Sequence, residues 1–313
     1  MPLQLGHVGS GTYEPLQVVL VLLLAAGYAV RARTLARRGE PVAVWRQVSF
    51  ATGLVIIVGS LLSPLDHLSD ELVLAHMVQH LLIGDIAALL VVLGVTGPLL
   101  QPLLAMRALS WMRVLAHPLV ALPLWVATLY FWHIPALYQE AVASAPVHFL
   151  QHASFFGAGI MLWMAMLGPL PKPAWFGLGA KAIYIIVARL AAAVLGNVFM
   201  WSGTILYPDY AGGEAFWGLS PLTDQGTAGV IMMFESTIFT FATFAWLFLR
   251  WARDDTERQH LLELAQERGI PLDDARARRA VAAGEGDRLA RRLMGQNEDV
   301  CERREAAGIT SER

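Results

Sequence analysis

The chain has 313 residues, of which 56 % are hydrophobic and only 15 % charged, with a formal net charge of −2. That balance excludes an ordinary soluble domain and places the chain among polytopic membrane proteins. The single cysteine, Cys301, excludes a disulfide framework, a cysteine-based zinc site or an iron–sulfur cluster built within one chain.

Seven apolar runs of spanning length follow one another. They are Pro15–Val30, Val42–Leu62, Leu72–Val95, Met112–Trp132, His148–Gly168, Ala180–Trp201 and Thr227–Trp251. The first lacks the basic flank of a signal peptide, so it is expected to remain as a span. Polar loops bearing Pro and Gly separate the runs, as in Ser63-Pro64-Leu65-Asp66 and Gly168-Pro169-Leu170-Pro171. No internal repeat is evident. The expected fold is all-α, a seven-transmembrane helix bundle.

Charge sorting gives the orientation. The first loop carries Arg31, Arg33, Arg37, Arg38 and Arg46, the third Arg107 and Arg113, and the fifth Lys172 and Lys181. A dozen more basic residues follow Trp251. The N-terminus and the even-numbered loops carry none; their charges are Glu14, Asp66, Asp70, Glu71, Glu140, Asp209, Glu214 and Asp224. Basic loops stay on the cytoplasmic side, so the N-terminus is expected outside and the C-terminus inside. Residues 1–251 are read as the membrane domain and 252–313 as a charged, partly disordered cytoplasmic tail. In that tail Glu257–Arg268 has helical spacing, Pro271 opens a second short helix, and Gly284 and Gly286 break it.

Two His-x-x-x-His pairs, His76/His80 and His148/His152, open the third and fifth runs. Residues four apart share one face of a helix, about one turn apart. Topology brings both pairs to the outer side, where His133 ends the fourth run. Up to five imidazoles then converge. Neutral imidazole suits copper, zinc, nickel and iron, and thioethers add a preference for monovalent copper. Met77, Met200, Met232 and Met233 lie in the outer halves of their spans. A methionine in a membrane helix usually serves in packing. His7 and His67 read as solvated. Haem is the rival cofactor, clamped by one histidine from each pair, although two histidines would then be unexplained.

Asp85, Arg189 and Glu235 lie well within spans, where charges are costly and pair or line a polar path. Arg189 is expected to pair with Asp85 or Glu235. Asp85 sits about half a turn around an α-helix from the His76/His80 face, which argues against its ligating the same ion. Asn197 is a candidate for an interhelical hydrogen bond. Asp224 is read as a cap for the last helix or as a partner for an imidazole N–H.

The string Ser63-Pro64-Leu65-Asp66 followed by Ala75-His76-Met77-Val78-Gln79-His80-Leu81-Leu82 resembles the polytopic CtaG family, assembly factors of caa-type bacterial cytochrome c oxidase. His133-Ile134-Pro135-Ala136-Leu137-Tyr138, His148-Phe149-Leu150-Gln151-His152 and Trp217 to Gln225 with Gly229-Val230-Ile231-Met232 agree with it. The resemblance covers the second to the seventh span and leaves the tail outside. Gly84-Asp85-Ile86-Ala87 departs from it by placing an acid where apolar or proline-bearing sequence is expected. A single-span copper chaperone shares the CtaG name, and this chain does not resemble it.

The resemblance implies a multi-pass protein of the bacterial plasma (inner) membrane that helps mature a haem–copper oxidase by handling copper. Its partners would be oxidase subunits or another copper chaperone. It carries over His76, His80, His133, His148 and His152 as matching positions. Met77, Met232 and Asp224 are possible secondary contributors. A haem-binding electron-transfer protein and a metal transporter are the competing readings. No Gly-rich phosphate loop, hydrolytic triad or basic nucleic-acid face is present, so a non-enzymatic role without nucleic acid is expected.

Overall fold

The computed structural model describes residues 15–106 and 112–295; His7, Glu14, Arg107 and Cys301 lie outside the described residues. The chain forms two compact units, Met1–Thr240 and Phe241–Arg313. In chain order the first holds α1 (Pro15–Arg37), α2 (Val44–Leu62), a short α3 (Pro64–Glu71) and α4 (Val73–Gly94). Next come α5 (Gly97–Ala105), α6 (Met112–Leu115), α7 (Pro118–Trp132), α8 (Pro135–Ala143), α9 (Ala145–Met166) and α10 (Leu178–Trp201). A 3-10 turn at Pro208–Tyr210 leads to α11 (Ala211–Trp217) and α12 (Pro221–Glu267), which belongs to both units. In the second unit α13 (Asp274–Ala282) starts where the Asp273 side chain accepts the Arg276 N–H at 2.6 Å. There Leu261, Ala265, Val281 and Leu293 make a small core.

Six helices are long and apolar enough to cross a membrane among the described residues. The expected fourth span differs: α7 and α8 meet at His133 with a bend of 73°, and counting this pair as one span makes seven. Pro118 and Pro135 each begin a helix here, because a proline lacks the N–H that would continue the preceding one. The last span also differs from expectation. α12 runs on past Trp251 because no Gly or Pro falls between Gly229 and Gly269.

Lipid-facing sides explain the composition. Leu22, Leu23 and Val30 on α1 are exposed, as are Leu190, Val194 and Val198 on α10. Such stripes are tolerated in hydrocarbon, where helices satisfy their own backbone groups. Basic side chains close helix C-termini at one end of the bundle. Arg46 donates to the Leu93 carbonyl at 2.7 Å and Lys172 to that of Gly168 at 2.6 Å. Cations there satisfy orphan carbonyls and oppose the helix dipole.

The central rod is α4. In its apolar window 61 % of residues are buried, against 11 % for α1. It packs on α2, α3 and α9. Its contact with α9 is backbone to backbone: a β-carbon on Gly159 would overlap the Gly84 carbonyl oxygen. One on Gly84 would stand 3.3 Å from the Phe155 β-carbon. Gly159→Ala should therefore cost about 1–3 kcal/mol through overpacking. Thermal unfolding of the detergent-purified protein checks this. Gly157→Ala, with nothing within 4 Å of the new methyl, should leave the midpoint unchanged or slightly raised.

Candidate metal centre

The two histidine pairs project from the first two turns of α4 and α9. An acid from elsewhere fixes the start of α4. Both oxygens of buried Asp224 accept backbone N–H groups, from Val73 at 2.7 Å and Leu74 at 3.1 Å. This corrects the expectation that Asp224 caps its own helix. Ser220 does that, accepting the Thr223 N–H at 3.2 Å, which leaves Asp224 for α4.

Four imidazoles form a quadrilateral. The ring centres of His76 and His80 are 4.2 Å apart and those of His148 and His152 also 4.2 Å. Across the helices His76 lies 5.3 Å from His148, and His80 5.3 Å from His152, with a His76–His152 diagonal of 6.4 Å. A first-row ion bound at about 2.1 Å from nitrogen stands roughly 3.2 Å from each ring centre. Half the 6.4 Å diagonal is that distance, so one ion suits the spacing of the rings. Among the described residues no three His, Cys, Asp or Glu side chains are already closed round a point as a bound ion requires. The rings are gathered at ligating spacing, and closure takes side-chain rotation.

Hydrogen bonds orient two of the rings. The Nδ1 of His76 faces the Ser69 carbonyl at 3.3 Å, and that of His133 faces the Leu129 carbonyl at 2.6 Å. A carbonyl only accepts, so Nδ1 of His133 carries the proton and its Nε2 the lone pair, whereas Nδ1 of His76 also faces the Tyr210 hydroxyl, which can donate to it. Both Nε2 atoms are buried without a partner, as are both ring nitrogens of His80 and of His152. These orphaned atoms are the feature a metal ion satisfies.

His133 stands at the α7–α8 bend, 6.5 Å from the His80 ring and beside the quadrilateral rather than in it. Tyrosines join the two. The Tyr210 hydroxyl lies 3.1 Å from His76 Nδ1 and 3.3 Å from the Tyr138 hydroxyl. Tyr138 stacks on Tyr207 at 4.1 Å, and the Tyr207 hydroxyl donates to the His133 carbonyl at 2.9 Å. Burial holds the Tyr207 and Tyr210 phenols well above their usual range, so both stay protonated.

Sequence reasoning did not single out these tyrosines. Tyr207 and Tyr210 sit in a loop without periodicity, and only proximity reveals them. Gln79 carried a readable signal, since both pairs have the form His-x-x-Gln-His. Its amide donates to the Ser60 carbonyl at 2.8 Å and to Asp66 at 2.9 Å, tying α4 to α2 and α3.

Of the methionines, Met77 and Met232 line a cavity of about 40 Å³ together with His80, His133 and Asp85. Met200 and Met233 lie instead at the contact of α10 with α12, around Gly196 and Gly229. His67 is exposed. Asn197 does not bridge helices as expected; its amide donates to the Ala193 carbonyl at 2.9 Å, one turn back along α10.

Deeper in the bundle Arg189 pairs with both expected acids. Its Nη1 bonds Asp85 and stands 3.2 Å from Glu235, and its Nη2 reaches Asp85 at 2.8 Å. The Trp163 indole donates to Asp85 at 2.8 Å, and the Arg189 guanidinium lies 4.8 Å from the Phe239 ring centre. The α-helical estimate that turned Asp85 away from His80 does not hold. Leu82–Ala87 is a π-helical turn, in which each residue advances less around the axis, and Asp85 lines the same cavity as His80.

Fold and site together define a multi-span membrane protein with a buried histidine cluster at one end of its bundle. The chain belongs to the cytochrome c oxidase caa3 assembly factor family, Caa3_CtaG, whose model matches residues 26–254. It is also similar to uncharacterised mycobacterial proteins. Mb0105 of Mycobacterium bovis and MT0111 of Mycobacterium tuberculosis are each 26 % identical over 269 residues, covering 75 % of this chain and 38 % of theirs. ML1998 of Mycobacterium leprae is 22 % identical over 262 residues, covering 78 % of this chain and 40 % of its own. The chain thus spans about two-fifths of the length of these relatives. No solved structure gives a significant match.

Two outcomes follow from the polar contacts. Arg189→Gln leaves buried carboxylates without their cation and should destabilise the protein by about 3–5 kcal/mol. The triple change Arg189→Gln, Asp85→Asn and Glu235→Gln should recover part of that loss in thermal unfolding. Asp224→Ala removes the cap of α4 and should cost about 0.5–2 kcal/mol by the same measurement.

Proposed function

We propose that this protein binds copper at the quadrilateral of His76, His80, His148 and His152 and hands it to a subunit of a caa-type cytochrome c oxidase during assembly. The role is non-enzymatic, and the copper is cargo. Basic loops on the opposite side support an orientation with the histidine end and the N-terminus outside the cytoplasm, in a bacterial plasma membrane. The observation that carries the reading is the set of orphaned ring nitrogens of His76, His80 and His152 in one buried place. Each unpartnered buried polar atom costs about 1–3 kcal/mol, and coordination is the interaction that offsets several together.

Cargo must also leave. Neutral imidazoles exchange copper without needing a proton or a reductant, and Met77 beside His76 offers a softer neighbour for the monovalent ion. A haem clamped by His76 and His152 would leave both ring nitrogens of His80 buried without a partner, which argues against it.

Copper analysis and an absorption spectrum of the purified protein test the reading. Wild type should retain copper through desalting and show no Soret band. His76→Asn with His148→Asn should lose retained copper, and membranes bearing that variant should assemble less active oxidase. Copper content unchanged in the double variant would refute the site, and a Soret band in wild type would favour haem instead.

A further inference from the structure

The cavity beside the quadrilateral has no role in the reading above, and its walls are unusual for a membrane core. Two thioethers, Met77 and Met232, meet two imidazoles, His80 and His133, round a space of about 40 Å³. All four side chains are buried, at 1 %, 3 %, 6 % and 7 % exposure. The space exceeds the roughly 10–15 Å³ that a single water needs and is far too small for an organic ligand.

Resting on the copper reading, we propose that this cavity is a second, deeper position for the monovalent ion, held by His80, His133, Met77 and Met232. Three observations carry it. First, His133 Nε2 is buried without a partner, and the Leu129 carbonyl fixes its lone pair there. His80 likewise has both ring nitrogens unpartnered. Second, the 6.5 Å between their ring centres is the separation of two imidazoles on opposite sides of one ion, about 6.4 Å for nitrogen bonds of about 2.1 Å. Two-sided nitrogen coordination closed by thioethers is a soft, low-charge ligand set that selects monovalent copper over divalent ions.

Third, the charge beneath the cavity suits one positive unit. Asp85 lines its floor, and Asp85 and Glu235 share the single guanidinium of Arg189. The Asp85 oxygens are already taken by Arg189 and Trp163, so the carboxylate acts through space rather than as a ligand. His80 belongs to both positions, 5.3 Å from His152 and 6.5 Å from His133. Its ring is the element that carries an ion from one to the other; with both positions filled, its single lone pair serves the deeper ion and His76, His148 and His152 hold the outer one.

The test uses the full chain in detergent, loaded with cuprous ion under reductant, with copper counted and its ligands read by X-ray absorption at the copper edge. Wild type should bind two ions and show sulfur scattering. Met77→Leu with Met232→Leu conserves side-chain volume. That variant should lose one of the two ions and the sulfur signal while keeping the nitrogen-ligated one. Selenomethionine-labelled protein gives a second readout on the unaltered fold, since selenium-edge spectra should show a copper neighbour. A wild-type spectrum of nitrogen neighbours alone, or a double variant that keeps both ions and the sulfur signal, overturns the second position and leaves the first intact. A wild type that takes up no copper overturns both.

Discussion

Two helix backbones touch where Gly84 meets Gly159, and the chemistry of the histidine end depends on that contact. Each pair is locally trivial, two side chains one turn apart on a helix. What makes a site is that α4 and α9 approach closely enough to bring His76 within 5.3 Å of His148 and His80 within 5.3 Å of His152. A side chain at Gly159 would overlap the Gly84 carbonyl oxygen and push the two helices apart.

Polar contacts hold this arrangement where water is scarce. Asp224 fixes the start of α4, Gln79 ties it to α2 and α3, and Arg189 joins α4, α10 and α12 through Asp85 and Glu235. An unpaired charge in a bilayer costs several kcal/mol, so these contacts specify one packing more sharply than apolar surface does. Among the described residues, the buried atoms left without a partner include ring nitrogens of His76, His80, His133 and His152 and the Gln151 amide. A deep cluster in which Arg189 meets both Asp85 and Glu235 thus contrasts with a shallower one of unpartnered rings, and residues of both line the 40 Å³ cavity.

Much of this was legible in the chain. Spans were visible because their apolar length is set by bilayer thickness, and the histidine pairs because i, i+4 spacing survives in any α-helix. Pairing of Arg189 with Asp85 and Glu235 followed from the cost of leaving any of them alone. The misses are long-range or irregular. A π-helical turn in α4 changed the phase that linked Asp85 to His80, and nothing in Leu82–Ala87 announces it locally. Asp224 caps a helix 151 residues away, which no local pattern encodes. Asn197 turned back on its own helix, an option equally open to any short amide. The bend at His133 was hinted at by Pro135, yet its 73° angle and the separation of His133 from the other rings depend on packing.

Counting the imidazoles on a bound cupric ion tests the central claim most directly. Pulsed electron paramagnetic resonance of the loaded protein reads the remote nitrogens of coordinated rings one by one. The account expects three or four of them, and one fewer after His76→Asn or after His148→Asn, because both helices contribute to one ion. A count of one, or a count that responds to changes on α4 and ignores those on α9, would contradict it.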